Sequence, residues 1–323
     1  MKNLKTYFKI QNKILLFYFL LLLFVNSDAK FILSNDVFSD SLIQSLCCTK
    51  AYKKNKITNL HFDYKNRIIN FKAKINDGKK YYDFVLDTGA PTFITDSVLH
   101  EHALELLSTT EAIDANQNHQ EVNIYNINSI LLSDKRIFNI EAAHSAGVNN
   151  MAVLKERANG GLIGSNAMKN SIWMIDYKNY EIKITDNVDL LQIPKNAYIT
   201  KMSKDNFGCP MIKIDIGNFK KLNVVIDLAY NGSVLLPASF INKPIFNDSL
   251  TFSKNEILST GFASEIKQNS YFFLKKLEFG NLNLKNVKCS TSGKNTRALI
   301  GNEFLENYIV ILDFIHNKFI LIP

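Results

Sequence analysis

Short apolar segments separated by polar turns recur along the chain after residue 57. Two of them invite comparison: residues 69–87 read INFKAKINDGKKYYDFVLD, and residues 210–227 read PMIKIDIGNFKKLNVVID. Each consists of a strand with alternating apolar positions, a polar turn, and a strongly apolar strand that ends in aspartate. Helical periodicity is sparse, and its best candidate is Ser97–Leu107 (SVLHEHALELL). The pattern therefore predicts a mainly β protein.

These two segments belong to an internal repeat. Their aspartates, Asp87 and Asp227, lie 140 positions apart. Further along, GLIG ending at Gly164 and ALIG ending at Gly301 lie 137 positions apart, and each is followed by a short turn and an apolar strand. Spacing that stays so constant over such distances indicates a duplication. The chain is therefore expected to fold as two similar mainly β lobes with a cleft between them.

We place the lobes at residues 58–190 and 191–323, joined by a connection over residues 190–203. Each half also contains a pair of short strands between its landmarks, INSILLSDKRIFNIEAA in the first and LKKLEFGNLNLKNVKCS in the second. Asp176 and Asp313 occupy matching places in MIDYKN and ILDFIH, 137 positions apart, and we interpret both as structural strand or turn residues.

The first 29 residues have the pattern of an export signal. Four lysines precede an uninterrupted apolar run, Ile14–Val25, and the small residues Ser27 and Ala29 follow it. Because this run is short for a membrane span, we predict a cleaved signal peptide and an exported protein, periplasmic or secreted. An uncleaved signal that anchors the protein in the membrane is the alternative. Residues 30–57 precede the first repeat, and no pattern assigns them a role.

Charge and composition narrow the function classes. The formal charge of +8 falls to +5 without the signal, which holds four lysines and one aspartate. The sequence has no dense stripe of basic residues with interleaved aromatics, so nucleic-acid binding is not expected. His100-Glu101-His102 lacks the spacing of a helical zinc site, and we interpret it as a solvated helix face. No metal or cofactor is expected, and we expect a monomer.

Four cysteines leave two arrangements open. Cys47 and Cys48 are adjacent, and a disulfide between neighbours strains the intervening peptide. Cys209 and Cys289 both lie in the second half. They either form a disulfide, as an exported protein permits, or remain buried free thiols.

Two motifs carry the candidate chemistry. Asp87-Thr88-Gly89-Ala90 follows the apolar run Phe84-Val85-Leu86. Two apolar residues and a glycine, followed by an apolar strand, occur as Leu162-Ile163-Gly164 and again as Leu299-Ile300-Gly301. In these motifs the chain resembles the retropepsin-like and pepsin-like aspartic peptidases, and the resemblance covers residues 58–323.

The resemblance implies two acid-protease-type β-barrel lobes and peptide hydrolysis by Asp87 and Asp227, without a metal, a cofactor or a covalent intermediate. Two carboxylates held close together cannot both ionise comfortably, so one stays protonated. The ionised one then activates a water, and the protonated one polarises the substrate carbonyl. The substrate would be an extended peptide in the cleft. Thr88 would brace one loop against the other, with Gly89, Ala90, Gly164 and Gly301 supporting the loops.

The second loop departs from the family pattern. It reads Asp227-Leu228-Ala229, with leucine in place of threonine and alanine in place of glycine. Two readings follow: Asp227 still completes an asymmetric dyad braced by Thr88 alone, or the chain binds extended peptides without cutting them. Hairpin flaps over the substrate are expected around Asp114-Ala115-Asn116 and Thr260-Gly261-Phe262.

Overall fold

A computed structural model of the protein describes residues 56–113, 119–217, 219–240, 250–260, 263–292 and 295–323. The predicted signal, almost all of the segment that follows it, Cys47 and Cys48 lie outside the described residues. Within the described ranges, no helix is both long and apolar enough to cross a membrane.

The described ranges contain 24 strands and a few short helices. In chain order the strands are β1 Thr58–His61, β2 Asp63–Lys65, β3 Ile68–Ile75, β4 Tyr82–Asp87, β5 Phe93–Ile94, β6 Glu105–Ile113, β7 His119–Leu132, β8 Lys135–His144, β9 Gly161–Gly164, β10 Ile172–Asp176, β11 Glu181–Thr185, β12 Tyr198–Lys201, β13 Ser203–Lys204, β14 Pro210–Ile216, β15 Phe219–Ile226, β16 Val234–Leu236, β17 Leu250–Thr260, β18 Ala263–Leu274, β19 Leu277–Phe279, β20 Leu282–Leu284, β21 Val287–Ser292, β22 Leu299–Ile300, β23 Ile309–Asp313 and β24 Lys318–Ile322. The α-helices are α1 Asp96–Glu101, α2 Ala146–Asn150, α3 Ala152–Arg157 and α4 Asn302–Leu305; 3-10 turns occur at Ser165–Ala167, Val188–Leu191 and Ala238–Phe240.

The first half forms a curled 8-stranded sheet in the order β2-β3-β4-β9-β5-β8-β7-β6. An additional pairing of β3 with β7 brings distant strands of this sheet together. Its central strands are rich in aromatic and β-branched residues, which suit a buried pleated surface. Strand β9 lies between β4 and β5, parallel to the first and antiparallel to the second.

The second half repeats this arrangement in a 10-stranded sheet, with β17-β18-β21-β16-β22-β15-β14-β19-β20 along the main path and β13 paired to β14. Strand β22 lies between β15 and β16, again parallel to the first and antiparallel to the second. The short helices after the two glycines also match, as a 3-10 turn in the first half and α4 in the second. The mainly β fold with two curled lobes, predicted from the repeat, is confirmed.

A third, 6-stranded sheet takes strands from both halves in the order β1-β11-β10-β23-β24-β12. Where the halves meet, β10 and β23 are antiparallel, and Met174 pairs with Ile311. These two residues are 137 positions apart, as are the repeat landmarks. A residue can pair with its own copy in this way only where a twofold axis relates the two copies. The predicted boundary at residues 190 and 191 stays a prediction.

One hydrophobic cluster extends through both halves. It includes Trp173, Tyr82 and Phe84 from the first half and Phe272 and Phe319 from the second, all with less than 2% of their surface exposed. The strands that lead to the two motif aspartates, β4 and β15, therefore end against a continuous packed interior.

The predicted helix Ser97–Leu107 is wrong in its second half. Helix α1 ends at Glu101, and Glu105 begins β6, which pairs with β7 along its length. Leu106 and Leu107 are 52% and 45% exposed, so they do not form the apolar helix face that their spacing indicated. Pairing with a long neighbouring strand prevails here over a weak local preference for helix.

Three smaller expectations have clear outcomes. Cys209 and Cys289 are both buried and free, so the free-thiol alternative holds. Asp176 accepts hydrogen bonds from the backbone N–H groups of the two residues at 178 and 179, and Asp313 from those of the residues at 315 and 316. Both aspartates therefore stabilise turns, as the sequence indicated.

Candidate active site

The two motif aspartates stand at equivalent strand ends. Asp87 is the last residue of β4 and pairs with Gly164 of β9. Asp227 directly follows β15, and its N–H donates to the carbonyl of Ile300 in β22 at 2.9 Å. Because both β4 and β15 are apolar and buried at this end, packing fixes the position at which each carboxylate leaves its strand. Both aspartates keep partial solvent exposure.

The Thr88 hydroxyl connects the two loops. Its Oγ1 donates to the carbonyl of Ile226 at 2.6 Å and accepts from the N–H of Leu228 at 3.0 Å. Thr88 is fully buried, so water does not compete for these bonds. The predicted bracing residue therefore contacts the backbone on both sides of Asp227.

The second loop has Leu228 where the first has the Thr88 hydroxyl, but its backbone still hydrogen-bonds to the aspartate. The Leu228 side chain is fully buried in the main hydrophobic cluster. The N–H groups of Ala229 and Tyr230 donate to Oδ1 of Asp227 at 2.9 and 3.1 Å. The methyl group of Ala229 packs beside a first-half cluster that includes Val85. Alanine at this position therefore does not deprive the Asp227 carboxylate of its backbone donors.

Gly89 lies against the opposite carboxylate. Its N–H donates to Oδ1 of Asp87 at 2.8 Å, and the N–H of Ala90 also bonds to the Asp87 carboxylate. A β-carbon on Gly89 would lie 2.6 Å from Oδ2 of Asp227, closer than such atoms can approach. A side chain at position 89 would therefore displace the Asp227 carboxylate, because the first loop lies directly against it.

Gly164 and Gly301 support the loops from behind. A β-carbon on Gly164 would lie 2.1 Å from the backbone carbon of Pro91, and one on Gly301 would lie 2.3 Å from the carbonyl oxygen of Tyr230. Each glycine therefore lets its strand pack directly on the backbone of one motif loop.

Burial and mutual repulsion shape the acidity of the pair. Burial raises the pKa of Asp87 to about 8, and the charge of Asp227 adds to the rise, against the N–H of Gly89, the charge of Arg297 and the N–H of Ala90. Burial also raises the pKa of Asp227, against the N–H of Ala229, the charge of Arg297 and the N–H of Tyr230. Such a pair holds one proton over a wide pH range and titrates as a unit.

Two residues that hold the motif loops were not predicted from the sequence. The fully buried Asn302 donates through Nδ2 to the carbonyls of Leu228 and Arg67, both at 2.7 Å, and accepts from the Tyr177 hydroxyl at 2.7 Å. Asn302 directly follows the Leu299-Ile300-Gly301 motif, and this position in the sequence could have identified it as a candidate loop-supporting residue. Arg297 bonds to the carbonyl of Gly89, and nothing in its local sequence pointed to that contact.

The strands on either side of the flap candidates pair as two long antiparallel ladders, β6 with β7 and β17 with β18. Residues 114–118 and 261–262 themselves lie outside the described residues.

The helix end at His100-Glu101-His102 hydrogen-bonds to Tyr82. His100 and Glu101 are exposed, and Glu101 accepts from the Tyr82 hydroxyl at 2.7 Å. His102 lies 3.1 Å from the same hydroxyl. Among the described residues, no group of three His, Cys, Asp or Glu side chains could hold a metal ion.

The Thr88 contact can be tested by truncation. We expect Thr88→Ala to lower the free energy of unfolding by about 1–3 kcal/mol, because two buried backbone groups lose their partner, whereas Thr88→Ser keeps most of it. Thermal unfolding would measure both. Thr185→Ala is the matched control, since Thr185 is also buried and bonds to nearby backbone. Equal stability of the Thr88 alanine and serine variants would contradict the bracing role.

The raised pKa of Asp87 predicts a pH-dependent stability. A carboxyl whose pKa rises on folding contributes stability at pH values below its ordinary pKa, and loses it as pH rises through the folded value near 8. Asp87→Asn does not titrate, so its stability relative to wild type should increase from pH 4 to pH 9. A tenfold change in proton affinity is about 1.4 kcal/mol, and a rise from 3.8 to about 8 is about four such changes, so we expect a gain of several kcal/mol, at most about 6.

Asp215→Asn is the control that should stay level over this pH range. The N–H of Lys221 and the nearby Lys220 hold the pKa of Asp215 below its usual range, so its contribution is lost only as pH falls below about 4. Thermal unfolding from pH 4 to pH 9 should therefore show Asp215→Asn parallel to wild type while the stability of Asp87→Asn rises relative to it. An Asp87→Asn profile parallel to wild type would mean that Asp87 titrates as an ordinary surface carboxylate.

Comparison with solved structures identifies the same fold in an enzyme. The chain superimposes on the crystal structure of aspartic proteinase from Irpex lacteus with a TM-score of 0.51, covering 83% of this chain and 97% of that chain at 9% sequence identity. No protein-family model matches the sequence, and a search of curated proteins gives no match. At 9% identity the likeness shows the fold alone, which is the two-lobed fold of an aspartic proteinase.

Proposed function

We propose that this protein is an aspartic endopeptidase, which hydrolyses peptide bonds with a water activated by Asp87 and Asp227. The observation that carries the proposal is the contact of the two motif loops around both carboxylates, with Gly89 against Asp227 and Thr88 bonded on either side of it. A general protease-like fold is already established by the structural comparison.

The proposed chemistry needs one proton on the pair. The ionised carboxylate accepts a proton from water as the water attacks the peptide carbonyl carbon. The protonated carboxyl donates to the carbonyl oxygen, which stabilises the tetrahedral intermediate. The intermediate then collapses: the proton held by the pair passes to the leaving amine, the C–N bond breaks, and one hydroxyl of the intermediate returns its proton to the pair as the carbonyl re-forms. We assign the base and acid roles to the pair and not to one residue, because coupled groups share their protons.

The partly changed second loop supports catalysis more than it opposes it. Asp227 keeps two backbone N–H donors on one oxygen, and the first loop packs against its carboxylate. A carboxylate retained at the end of a buried apolar strand is unfavourable unless it is paired or hydrogen-bonded. Its retention is therefore more easily explained by a role in a pair than by a role in fold stability alone.

The alternative function is peptide binding without hydrolysis. It is favoured by one observation, the apolar Leu228 side chain, which leaves the loops with one bracing hydroxyl instead of two. In either case we propose that the ligand is an extended peptide, held in the cleft through backbone hydrogen bonds. We also propose an exported monomer, periplasmic or secreted.

The test is proteolysis of an unfolded protein mixture by the purified chain from pH 2 to pH 9. We expect cleavage by wild type and a loss of about 10²–10⁴-fold in Asp87→Asn and Asp227→Asn, the range for removing an acid–base group. Cleavage should decline as pH rises past about 8, where the remaining proton leaves the pair. Asp215→Asn, which changes a partly exposed carboxylate outside the motif loops, should cut like wild type.

The outcomes separate the two functions. Cleavage abolished by both aspartate changes supports the peptidase. Cleavage lost in Asp87→Asn but kept in Asp227→Asn would contradict the dyad. No cleavage by folded wild type, together with saturable binding of unfolded peptides, would replace the peptidase with the binding protein.

A further inference from the structure

Arg297 reaches the active site from outside both motif loops. It lies two residues before β22, the strand whose Ile300 carbonyl accepts the N–H of Asp227. Its Nη1 donates to the carbonyl of Gly89 at 3.3 Å, and its Nη2 donates to Oδ2 of Asp205 at 2.9 Å. The guanidinium therefore joins the second half to the first motif loop, next to the residues that hold Asp87.

The surroundings hold this arginine in place. The buried Asn295 accepts from the N–H of Arg297 at 3.2 Å and donates to its carbonyl at 2.6 Å. Asp205 is fixed in turn, because its Oδ1 accepts from the N–H groups of Phe207 and Cys209, both at 2.9 Å. About a third of the Arg297 side chain is exposed. An arginine fixed at its backbone and at its tip loses little further freedom on bonding Gly89.

The bond from Arg297 to the carbonyl of Gly89 stands in for the hydrogen bond that a hydroxyl at position 228 would make to the first loop. Thr88 of the first loop reaches the second loop through its hydroxyl. The equivalent residue of the second loop, Leu228, has no hydroxyl with which to reach the first. Arg297 supplies a bond in that direction, from the second half to the carbonyl of Gly89. The two loops differ in that only Thr88 carries a hydroxyl, and the bond from Arg297 to Gly89 occurs only on the side that lacks one.

The charge of Arg297 also acts on the carboxylates. Against the rise caused by burial, it lowers the pKa of both Asp87 and Asp227. Asp205 faces the same guanidinium and offsets part of its charge. Burial raises the pKa of the Cys209 thiol to about 12, so this neighbour stays neutral.

Two lysines close to Arg297 do not share its effect on the pair. Lys220 and Lys221 line the same surface hollow as Arg297, and Lys220 is paired with Asp215 at 3.3 Å. Neither lysine is among the groups that shift the pKa of Asp87 or Asp227, whereas Arg297 lowers both against the effect of burial.

We propose, as an extension of the proposed peptidase function, that Arg297 is a positioning residue with two effects: it ties the first loop to the second half in place of a hydroxyl at position 228, and its charge extends the enzyme's activity toward acid pH. A lysine would keep the charge but not the fixed two-way geometry. A methionine would keep the length and lose both.

The experiment compares pH profiles of kcat/KM for wild type, Arg297→Met and Arg297→Lys. In Arg297→Met the acidic and the basic limb of the bell-shaped kcat/KM profile should both move to higher pH by about one unit, because a positive charge near the carboxylates is lost. Arg297→Lys should keep the limbs within a few tenths of wild type and lose rate at the optimum. Asp205→Asn removes a negative charge near the pair, so its limbs should move to lower pH.

A double variant separates geometry from charge. Leu228→Thr in the Arg297→Met background restores a hydroxyl to the second loop, so it should recover rate at the optimum without moving the limbs back. Arg136→Met is the matched control. Like Arg297, Arg136 donates to a backbone carbonyl, that of Asn76, and to a carboxylate, that of Asp77, but it does so on the first lobe. It should leave the pH profile unchanged.

Direct titration keeps this proposal separate from the peptidase function. ¹³C NMR of aspartate-labelled protein follows both carboxyls whether or not the chain cuts peptides, with assignments from Asp87→Asn and Asp227→Asn. An upward shift in Arg297→Met supports the proposal even if wild type is inactive. Unchanged carboxyl titrations in a folded Arg297→Met would overturn it, as would equal pH shifts in the lysine and methionine variants. If Arg297→Met does not fold, the opposite shift expected of Asp205→Asn decides.

Discussion

The contact between two loops through one buried hydroxyl is the interaction on which the site depends. Thr88 Oγ1 donates to the residue before Asp227 and accepts from the residue after it. That bond brings the first loop close enough for Gly89 to touch the Asp227 carboxylate. Proximity of the carboxylates then raises the proton affinity of Asp87, beyond the larger effect of burial. The raised proton affinity of the pair, on which the proposed acid–base chemistry rests, therefore follows from a loop contact at the junction of two β lobes.

The duplicated architecture explains how this junction arises. Each half inserts a late strand, β9 or β22, beside the strand that carries its aspartate, and packs a glycine beneath the loop. The twofold relation is kept at Met174 and Ile311, where a residue pairs with its repeat copy. At the two motif loops the relation is broken, since Leu228 replaces a hydroxyl and Arg297 bonds from one side only. The backbone frame has stayed symmetric while the contacts around the carboxylates have diverged.

The frame and the motif loops could be predicted because their signals are local and repeated. Alternating apolar strands, the spacing of Gly164 and Gly301, and Asp-Thr-Gly after a buried strand are all visible in the sequence. The end of helix α1 could not be predicted, because the conformation of residues 105–107 is set by the pairing of β6 with β7. Arg297 was not predicted either, since its partners are 92 and 208 positions away and only the folded chain brings them together.

The measurement that tests the central claim most directly is the carboxyl titration of Asp87 in the wild-type protein and in Asp227→Asn, by ¹³C NMR of aspartate-labelled chain. If the two carboxylates share a proton, Asp87 should titrate far above the ordinary aspartate range in wild type, and its pKa should fall when the neighbouring charge is removed. A wild-type pKa in the ordinary range, or a raised pKa that does not respond to the change at Asp227, would contradict a coupled pair.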